Sequence, residues 1–270
     1  MKKIIWGLLG LTAGRRSMQG LYEFLLDVAL HGMNYGRGGD FRTDGELDLL
    51  HYIKKKLGPN DKAIVFDVGA NIGEYSVALA DFFGKGSTVH AFEPSKDTHA
   101  KLMKTLGGHT NPSSGVVVAH NTGFSDAVGT LRLYRNPERH TLASVYNRDL
   151  EHFNITMDEV EEIQLTTVDQ FCADHRIERL HFLKIDIEGH ELSALKGAER
   201  MIREGRIDHI QFEFGGANVD SRTYFRDFYS LLKDKFTLYR IVRNGLRPIP
   251  YYKEAYEQFQ TINYLAERKG

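Results

Sequence analysis

Cysteine is almost missing from this chain: Cys172 is the only one in 270 residues. That excludes an internal disulfide framework and a cysteine-based metal site, and it fits a reducing, cytoplasmic compartment in which Cys172 is a small buried hydrophobe. Excess charge is missing too. With 35 basic against 36 acidic residues and a net charge of −1, no basic footprint for a nucleic-acid partner is present. Long apolar runs are absent, since Ile4 to Leu11 falls well short of the roughly 20 residues a membrane span takes. Lys2-Lys3 and Arg15-Arg16 flank that run, but Thr12-Ala13-Gly14 is a weak cleavage region, so secretion is not expected. Two placements stay open for this leading segment: packing against the domain, or a weak peripheral contact with a membrane surface. Repeats and low-complexity linkers are lacking as well. One domain over residues 43–270 is therefore expected, preceded by a helical extension over 1–42.

What is present is an alternation of apolar strands with amphipathic helices. Ala63-Ile64-Val65-Phe66 has the continuous apolar character of a buried parallel strand, and Asp67-Val68-Gly69-Ala70-Asn71-Ile72-Gly73 follows it into a helix. A dinucleotide turn has the spacing G-x-G-x-x-G, which aims backbone N–H groups at a pyrophosphate. Here the spacing is Asp67-x-Gly69-x-x-x-Gly73. An acid in that place repels phosphate and suits a cationic amino-acid portion, such as that of S-adenosylmethionine.

A second unit repeats the arrangement. Val89-His90-Ala91-Phe92 ends in Glu93, positioned to hold ribose hydroxyls, and Ser95 is the expected cap of the next helix. Glu93 suits NAD equally well, so an NAD-dependent Rossmann oxidoreductase or a sugar-modifying enzyme is the alternative reading. A third strand, Val116 to Ala119, exits into Asn121-Thr122-Gly123-Phe124-Ser125-Asp126. Asn121 is placed to support that turn and Asp126 to meet an adenine, although such a turn also caps its own backbone.

Further elements follow the same logic. Residues 17–33 have helical spacing and are expected to cover one edge of the core; Thr43-Asp44-Gly45-Glu46 has capping-box spacing before Leu47, Leu50 and Ile53. Leu131 to Tyr134 and Glu162 to Val168 alternate as strands, and the polar stretch 135–161 between them is a candidate lid carrying Arg135, Arg139, His140 and Ser144. The fourth strand, His181 to Asp186, crowds Asp186, Glu188, His190 and Glu191 at its exit, and the fifth, His209 to Phe214, carries Glu213. Phe236 to Val242 and Thr261 to Ala266 form a terminal strand pair, with Tyr251, Tyr252, Tyr256 and Phe259 in the insertion between them.

Val65 to Ser76, Phe92-Glu93-Pro94, Asn121 to Asp126, Gln211 to Phe214 and above all Leu183-Lys184-Ile185-Asp186-Ile187-Glu188-Gly189-His190-Glu191 together resemble the FkbM-type S-adenosylmethionine-dependent methyltransferases. The resemblance spans residues 43–266. It implies an α/β, Rossmann-like class I methyltransferase fold with a seven-stranded, mostly parallel sheet whose last strand is antiparallel. It further implies O-methylation of a sugar, glycan or small natural product, with such an acceptor as the partner. Asp67, Gly69, Asn71 and Gly73 would then line the methionine side of the cofactor, Glu93 the ribose, and Asn121 and Asp126 the adenine end. Asp186, Glu188, His190 and Glu213 are the candidate bases, Asp186 first. For Asp186 the blander role is an ion pair with Lys184, two residues away on the same strand face. No distinctive metal-ligand spacing is present, so no metal is expected, although these carboxylates and His190 are of the kind a hard cation takes.

Overall fold

The computed structural model describes Gly10 and residues 12–37, 41–58 and 62–270. Most of the basic, apolar leading segment therefore lies outside the described residues, as do Gly38, Gly39 and Pro59. Helices α1 (Gln19–Gly32) and α2 (Glu46–Lys56) precede β1 (Ile64–Val68), after which α3 (Glu74–Phe83), β2 (Thr88–Phe92), α4 (Lys96–Gly108) and β3 (Val116–His120) alternate. Beyond β3 the chain forms β4 (Gly123–Phe124), β5 (Gly129–Arg135) and β6 (Glu159–Thr166), then returns through α5 (Val168–Asp174) to β7 (Phe182–Ile185). Next come α6 (Glu191–Lys196), α7 (Glu199–Arg203), β8 (His209–Phe214), α8 (Ala217–Ser221) and α9 (Phe225–Leu232). β9 (Phe236–Val242), β10 (Gly245–Ile249) and β11 (Ile262–Arg268) close the sequence.

The main sheet has the order β10-β9-β11-β8-β7-β1-β2-β3. Strands β3, β2, β1, β7 and β8 run parallel, while β11 is antiparallel to both β8 and β9. This is the expected α/β architecture, with one addition. Its seven strands gain an eighth, β10, which pairs back on β9 across a tight turn at Arg243-Asn244. The Asn244-Gly245 pair is a hairpin signal, and Pro248 is tolerated because β10 lies at the sheet edge.

Alternation along β1 divides the core between the two sheet faces. Phe66 and Val68 join Phe92, Leu183, Ile185 and Phe212 on one side. Val65 joins Leu49, Leu50, Ile53 and Leu79 on the other. Each such fully buried side chain stabilises the fold by roughly 1.5–3 kcal/mol before entropy is counted. The two alternating segments expected as strands pair with one another as β5 and β6, and with β4 they make a separate three-stranded sheet. Leu133, Ile163 and Leu165 of that small sheet line the site.

Three local expectations are corrected. Helix α1 forms, but it does not cover the core, since Leu30 is its only buried residue. Helix α2 starts from Gly45 in a left-handed conformation, with Asp44 Oδ1 accepting from the Glu46 N–H at 3.1 Å, instead of from a Thr43 capping box. The Glu46 side chain is drawn into the interior, where it accepts from Gln211 and Asn263. Ser95 precedes α4 without capping it by its side chain. Glu161 of β6 does so instead, accepting from the Lys96 N–H at 2.9 Å and from Ser95 Oγ at 3.0 Å.

Candidate active site

A cavity of about 830 Å³ opens at the carboxyl ends of β1, β2, β7 and β8. Ligands of open α/β sheets collect there. Its floor is the turn after β1. Gly69 has φ +86°, and a Cβ on it would stand 1.9 Å from the Asp186 carbonyl oxygen. Only glycine lets the turn press against the exit of β7. The Gly69 and Ala70 N–H groups both donate to Phe92 O, at 3.0 and 2.9 Å, which fastens the turn to the end of β2.

Glu93 completes this wall. Its Oε2 accepts from the Asn71 N–H at 3.1 Å and its Oε1 from the Ser95 N–H at 2.9 Å, so the carboxylate is oriented while lone pairs remain. Burial pushes its pKa up to about 7, against the pull of those two N–H groups. Asn71 is held left-handed at φ +49°, and its Oδ1 is a buried acceptor with no hydrogen-bond partner among the described residues. Both residues line the cavity with Gly69 and Gly73. An orphaned acceptor beside an oriented carboxylate fits the ammonium and ribose hydroxyls of S-adenosylmethionine.

The remaining expected cofactor residues lie elsewhere. Asp67 is fully buried beneath the turn, accepting from Ser76 Oγ at 2.6 Å and standing 3.8 Å from Lys184 Nζ. It holds the turn and does not line the cavity. Asn121 braces the backbone, donating to the carbonyls of Glu93 and Pro94 at 3.0 Å each. Asp126 is exposed and accepts from Ser125 Oγ at 3.0 Å, outside the cavity wall. The wall near that exit is apolar, formed by Gly123, Phe124, Leu133, Ile163 and Leu165.

The exits of β7 and β8 bring Asp186, Glu188, His190 and Glu213 onto the cavity. Oxygens of Asp186, Glu188 and Glu213 lie within 4.8 Å of one another. Carboxylates this close suit a shared proton or a cationic ligand. Lys184 Nζ donates to Asp186 Oδ2 at 3.2 Å, so the ion pair expected between them is present. Burial opposes the Lys184 charge, but Asp186, Asp67 and Glu46 outweigh it and keep the ammonium protonated. Burial, with Asp186 adding repulsion, pushes Glu188 up to about 8, and the same causes push Glu213 well above the carboxylate range.

His190 is differently placed. Its Nε2 is 2.9 Å from Ser125 Oγ and its Nδ1 is 3.1 Å from Tyr146 Oη, so both ring nitrogens are engaged. Burial lowers its pKa. A neutral, doubly bonded imidazole positions the wall and has no free nitrogen for a substrate proton.

The segment 135–161 folds over this cavity. His140, Ala143, Val145, Arg148, Leu150 and Phe153 line it from above. Ser144 Oγ donates to Glu188 O at 2.7 Å, and Arg148 Nη1 to Glu188 Oε2 at 2.5 Å, which ties the roof to the β7 exit. Of the residues singled out in that segment, Arg135 pairs with Asp97 and Glu159, and Arg139 is not on the wall. Of the aromatics in the late insertion, Phe259 alone reaches the cavity.

Two residues that the sequence does not mark as site residues are part of the wall. Arg148 has no motif to mark it. Glu46 is 3% exposed, with its carboxylate accepting from Gln211 Nε2 at 2.7 Å and Asn263 Nδ2 at 3.1 Å. Its signal was a pair of amides inside otherwise apolar strands, which need a buried partner. Burial pushes Glu46 up to about 7.

An alternating sheet with an antiparallel last strand, a glycine turn at β1 and an oriented acid at β2 define a class I, S-adenosylmethionine-dependent methyltransferase domain. The family profile described as Methyltransferase FkbM domain matches residues 67–240. The chain belongs to this methyltransferase family, which displaces the NAD-dependent alternative. Among curated relatives, the chain is 25% identical over 171 residues to the hexuronic acid methyltransferase AglP of Haloferax volcanii, covering 63% of this chain and 64% of that one. It is 31% identical over 175 residues to the 31-O-demethyl-FK506 methyltransferase FkbM of Streptomyces tacrolimicus, covering 56% and 64% respectively. The match thus spans just under two thirds of the length of both relatives. Among solved structures, magnesium protoporphyrin IX methyltransferase from Synechocystis PCC 6803 aligns with a TM-score of 0.43 and 11% identity, over 82% of this chain and 77% of that one.

Proposed function

We propose that this domain transfers the methyl group of S-adenosylmethionine to a hydroxyl of a sugar, glycan or small natural product that carries no net negative charge. The observation that carries the reading is the joining, in one cavity, of the Gly69–Gly73 turn and Glu93 with the Asp186, Glu188 and Glu213 carboxylates. Glu93 and Asn71 would hold the cofactor. When bound, it supplies an electrophilic methyl group on a positively charged sulfur.

Asp186 is the proposed base, because Lys184 engages its Oδ2 and leaves Oδ1 for a substrate proton. In the transfer, the acceptor oxygen would bond to the methyl carbon as the sulfur–methyl bond released its electron pair to sulfur, and Asp186 would take the hydroxyl proton. The products are a methyl ether and S-adenosylhomocysteine. Alignment of acceptor and methyl group supplies most of the rate. Among the described residues, the lysine and arginine of the wall, Lys184 and Arg148, are already paired with acids. An anionic acceptor such as a hexuronate therefore meets no free lysine or arginine among the described residues of the wall, which favours neutral hydroxylated acceptors.

The test is transfer of labelled methyl groups to matched panels of neutral glycans, uronate glycans and hydroxylated metabolites, with mass spectrometry locating the modified oxygen. Methylation confined to carboxylate-bearing acceptors would sink the neutral-acceptor reading. Binding of NAD with no binding of S-adenosylmethionine would sink the proposal as a whole.

A further inference from the structure

Helix α1 has an apolar stripe that the domain leaves bare. Leu21, Phe24, Leu25 and Val28 recur at i, i+3, i+4 and i+7, the spacing of one helical face. They are 49%, 62%, 48% and 51% exposed. A helix packed on its own domain buries such a stripe, yet here even Leu26, on the opposite side, is 55% exposed. The two acids of the helix, Glu23 and Asp27, fall off the stripe at helical spacing. Among the described residues, no helix is long and apolar enough to cross a membrane.

Two further observations identify what covers this face. Arg15 and Arg16 are exposed immediately before the helix, and the sequence ahead of them carries Lys2 and Lys3. A charge-free apolar stripe with cations at its leading end complements an anionic bilayer, which takes up the apolar side chains and holds the cations at its headgroups. The other end of the helix is anchored at the site. Leu30 and Tyr35 belong to the main core, Asn34 Nδ2 donates to Asp44 O at 2.9 Å, and Gly36 lies on the cavity wall.

We infer that α1 docks this domain on an anionic lipid surface, through Leu21, Phe24, Leu25 and Val28 with Arg15 and Arg16, beside the mouth of the cavity. Docking of this kind is peripheral. It brings the site to the level of the headgroups, where an acceptor carried on a lipid is delivered; that last clause rests on the methyl-transfer reading, and the docking itself does not.

Flotation of the full chain with vesicles tests it. Phosphatidylcholine vesicles are compared with vesicles containing phosphatidylglycerol, at low and raised salt. The expected result is flotation with the anionic vesicles only, weakened by salt. Arg15→Glu/Arg16→Glu should weaken it about fivefold per arginine, and Phe24→Asp/Leu25→Asp about tenfold or more. Circular dichroism and thermal melting establish that each variant is folded without reference to activity. No flotation of the unaltered chain overturns the inference. So does equal flotation of the stripe variant, which would assign binding to the segment ahead of α1. Light scattering that shows a dimer broken by Phe24→Asp/Leu25→Asp, with vesicles ignored, also overturns it and makes a second copy the occupant.

Discussion

The Arg148 guanidinium, from the segment that roofs the cavity, lies 2.5 Å from the Glu188 carboxylate at the exit of β7, and its Nε is 3.5 Å from Asp220. The side chains are only 8% and 19% exposed. Roof and floor are thus joined by an ion pair largely removed from water. Breaking such a pair costs more than forming it gains, because the remaining charge has no solvent to return to.

Replacing Arg148 by methionine should therefore destabilise the domain by about 3 kcal/mol above about pH 8, where the Glu188 carboxylate is ionised, and by less below it, and should loosen the roof. Urea unfolding measures the first effect and limited proteolysis between residues 135 and 161 the second. At that higher pH, combining it with Glu188→Gln should restore part of the loss, since both members of the pair are then neutral. A single variant within about 0.5 kcal/mol of the parent would contradict the latch.

Much of the frame was legible from local pattern. The continuous apolar strands and the glycine turn were readable because burial on both sheet faces and a close backbone approach impose their residue types locally. Residues whose roles depend on distant partners were not. Asp67 was expected in the cavity, yet Ser76 and Lys184 claim it beneath the turn. Glu46 has the spacing of a capping residue, yet its partners Gln211 and Asn263 lie more than 160 positions along the chain. The β10 hairpin had a signal in Asn244-Gly245. The engagement of both His190 nitrogens had none, because Tyr146 comes from the roof, whose path no periodicity announces.

Cofactor binding and proton removal are assigned to different residues, so they separate on mutation. Glu93→Ala should weaken binding of S-adenosylhomocysteine by about tenfold or more, through lost charge-assisted hydrogen bonds and a freed Asn71 N–H. Asp186→Asn should leave that affinity within about threefold and lower turnover by about a hundredfold or more, the range of a lost general base. Calorimetry and single-turnover methyl transfer read the two effects. Retained turnover in Asp186→Asn would pass the role of base to Glu188 or Glu213.

Acid should unfold the domain through a histidine stack that is not part of the cavity wall. His90 and His120 are 3.0 Å apart between Nδ1 and Nε2, and His120 packs on Phe92 and Phe171. Burial first, then neighbouring histidines, lower both to about 4. Folding thus favours the neutral rings, while the unfolded chain takes up protons near pH 6.5. Stability from this source is complete above about pH 6.5 and is lost as pH falls toward about 4. After discounting for partial exposure, the pair contributes about 2–3 kcal/mol. His90→Phe/His120→Phe should flatten urea midpoints between about pH 7.5 and about pH 5; an unchanged slope would place the acid sensitivity elsewhere.

The carboxylates of the cavity act in the opposite direction, on the ligand. Burial raises Glu46 and Glu93 to about 7 and Glu188 to about 8, so these groups lose protons across the neutral range. Each loss adds negative charge to a wall that faces the cofactor. S-adenosylmethionine carries a permanent positive charge on sulfur, whereas S-adenosylhomocysteine does not, and the amino-acid portions of the two are alike. Taking the ratio of their affinities cancels the titration of those shared portions and leaves the response of the wall to the sulfonium. That ratio should rise by about tenfold from about pH 6 to about pH 8.5, a modest share of the attraction between unit charges at contact in a partly hydrated site. Glu46→Gln and Glu93→Gln should each reduce the rise, since a neutral amide does not titrate. A ratio that stays flat with pH in the parent chain would mean that the acids keep their protons when the cofactor binds, and that the sulfonium is held by shape and dispersion alone.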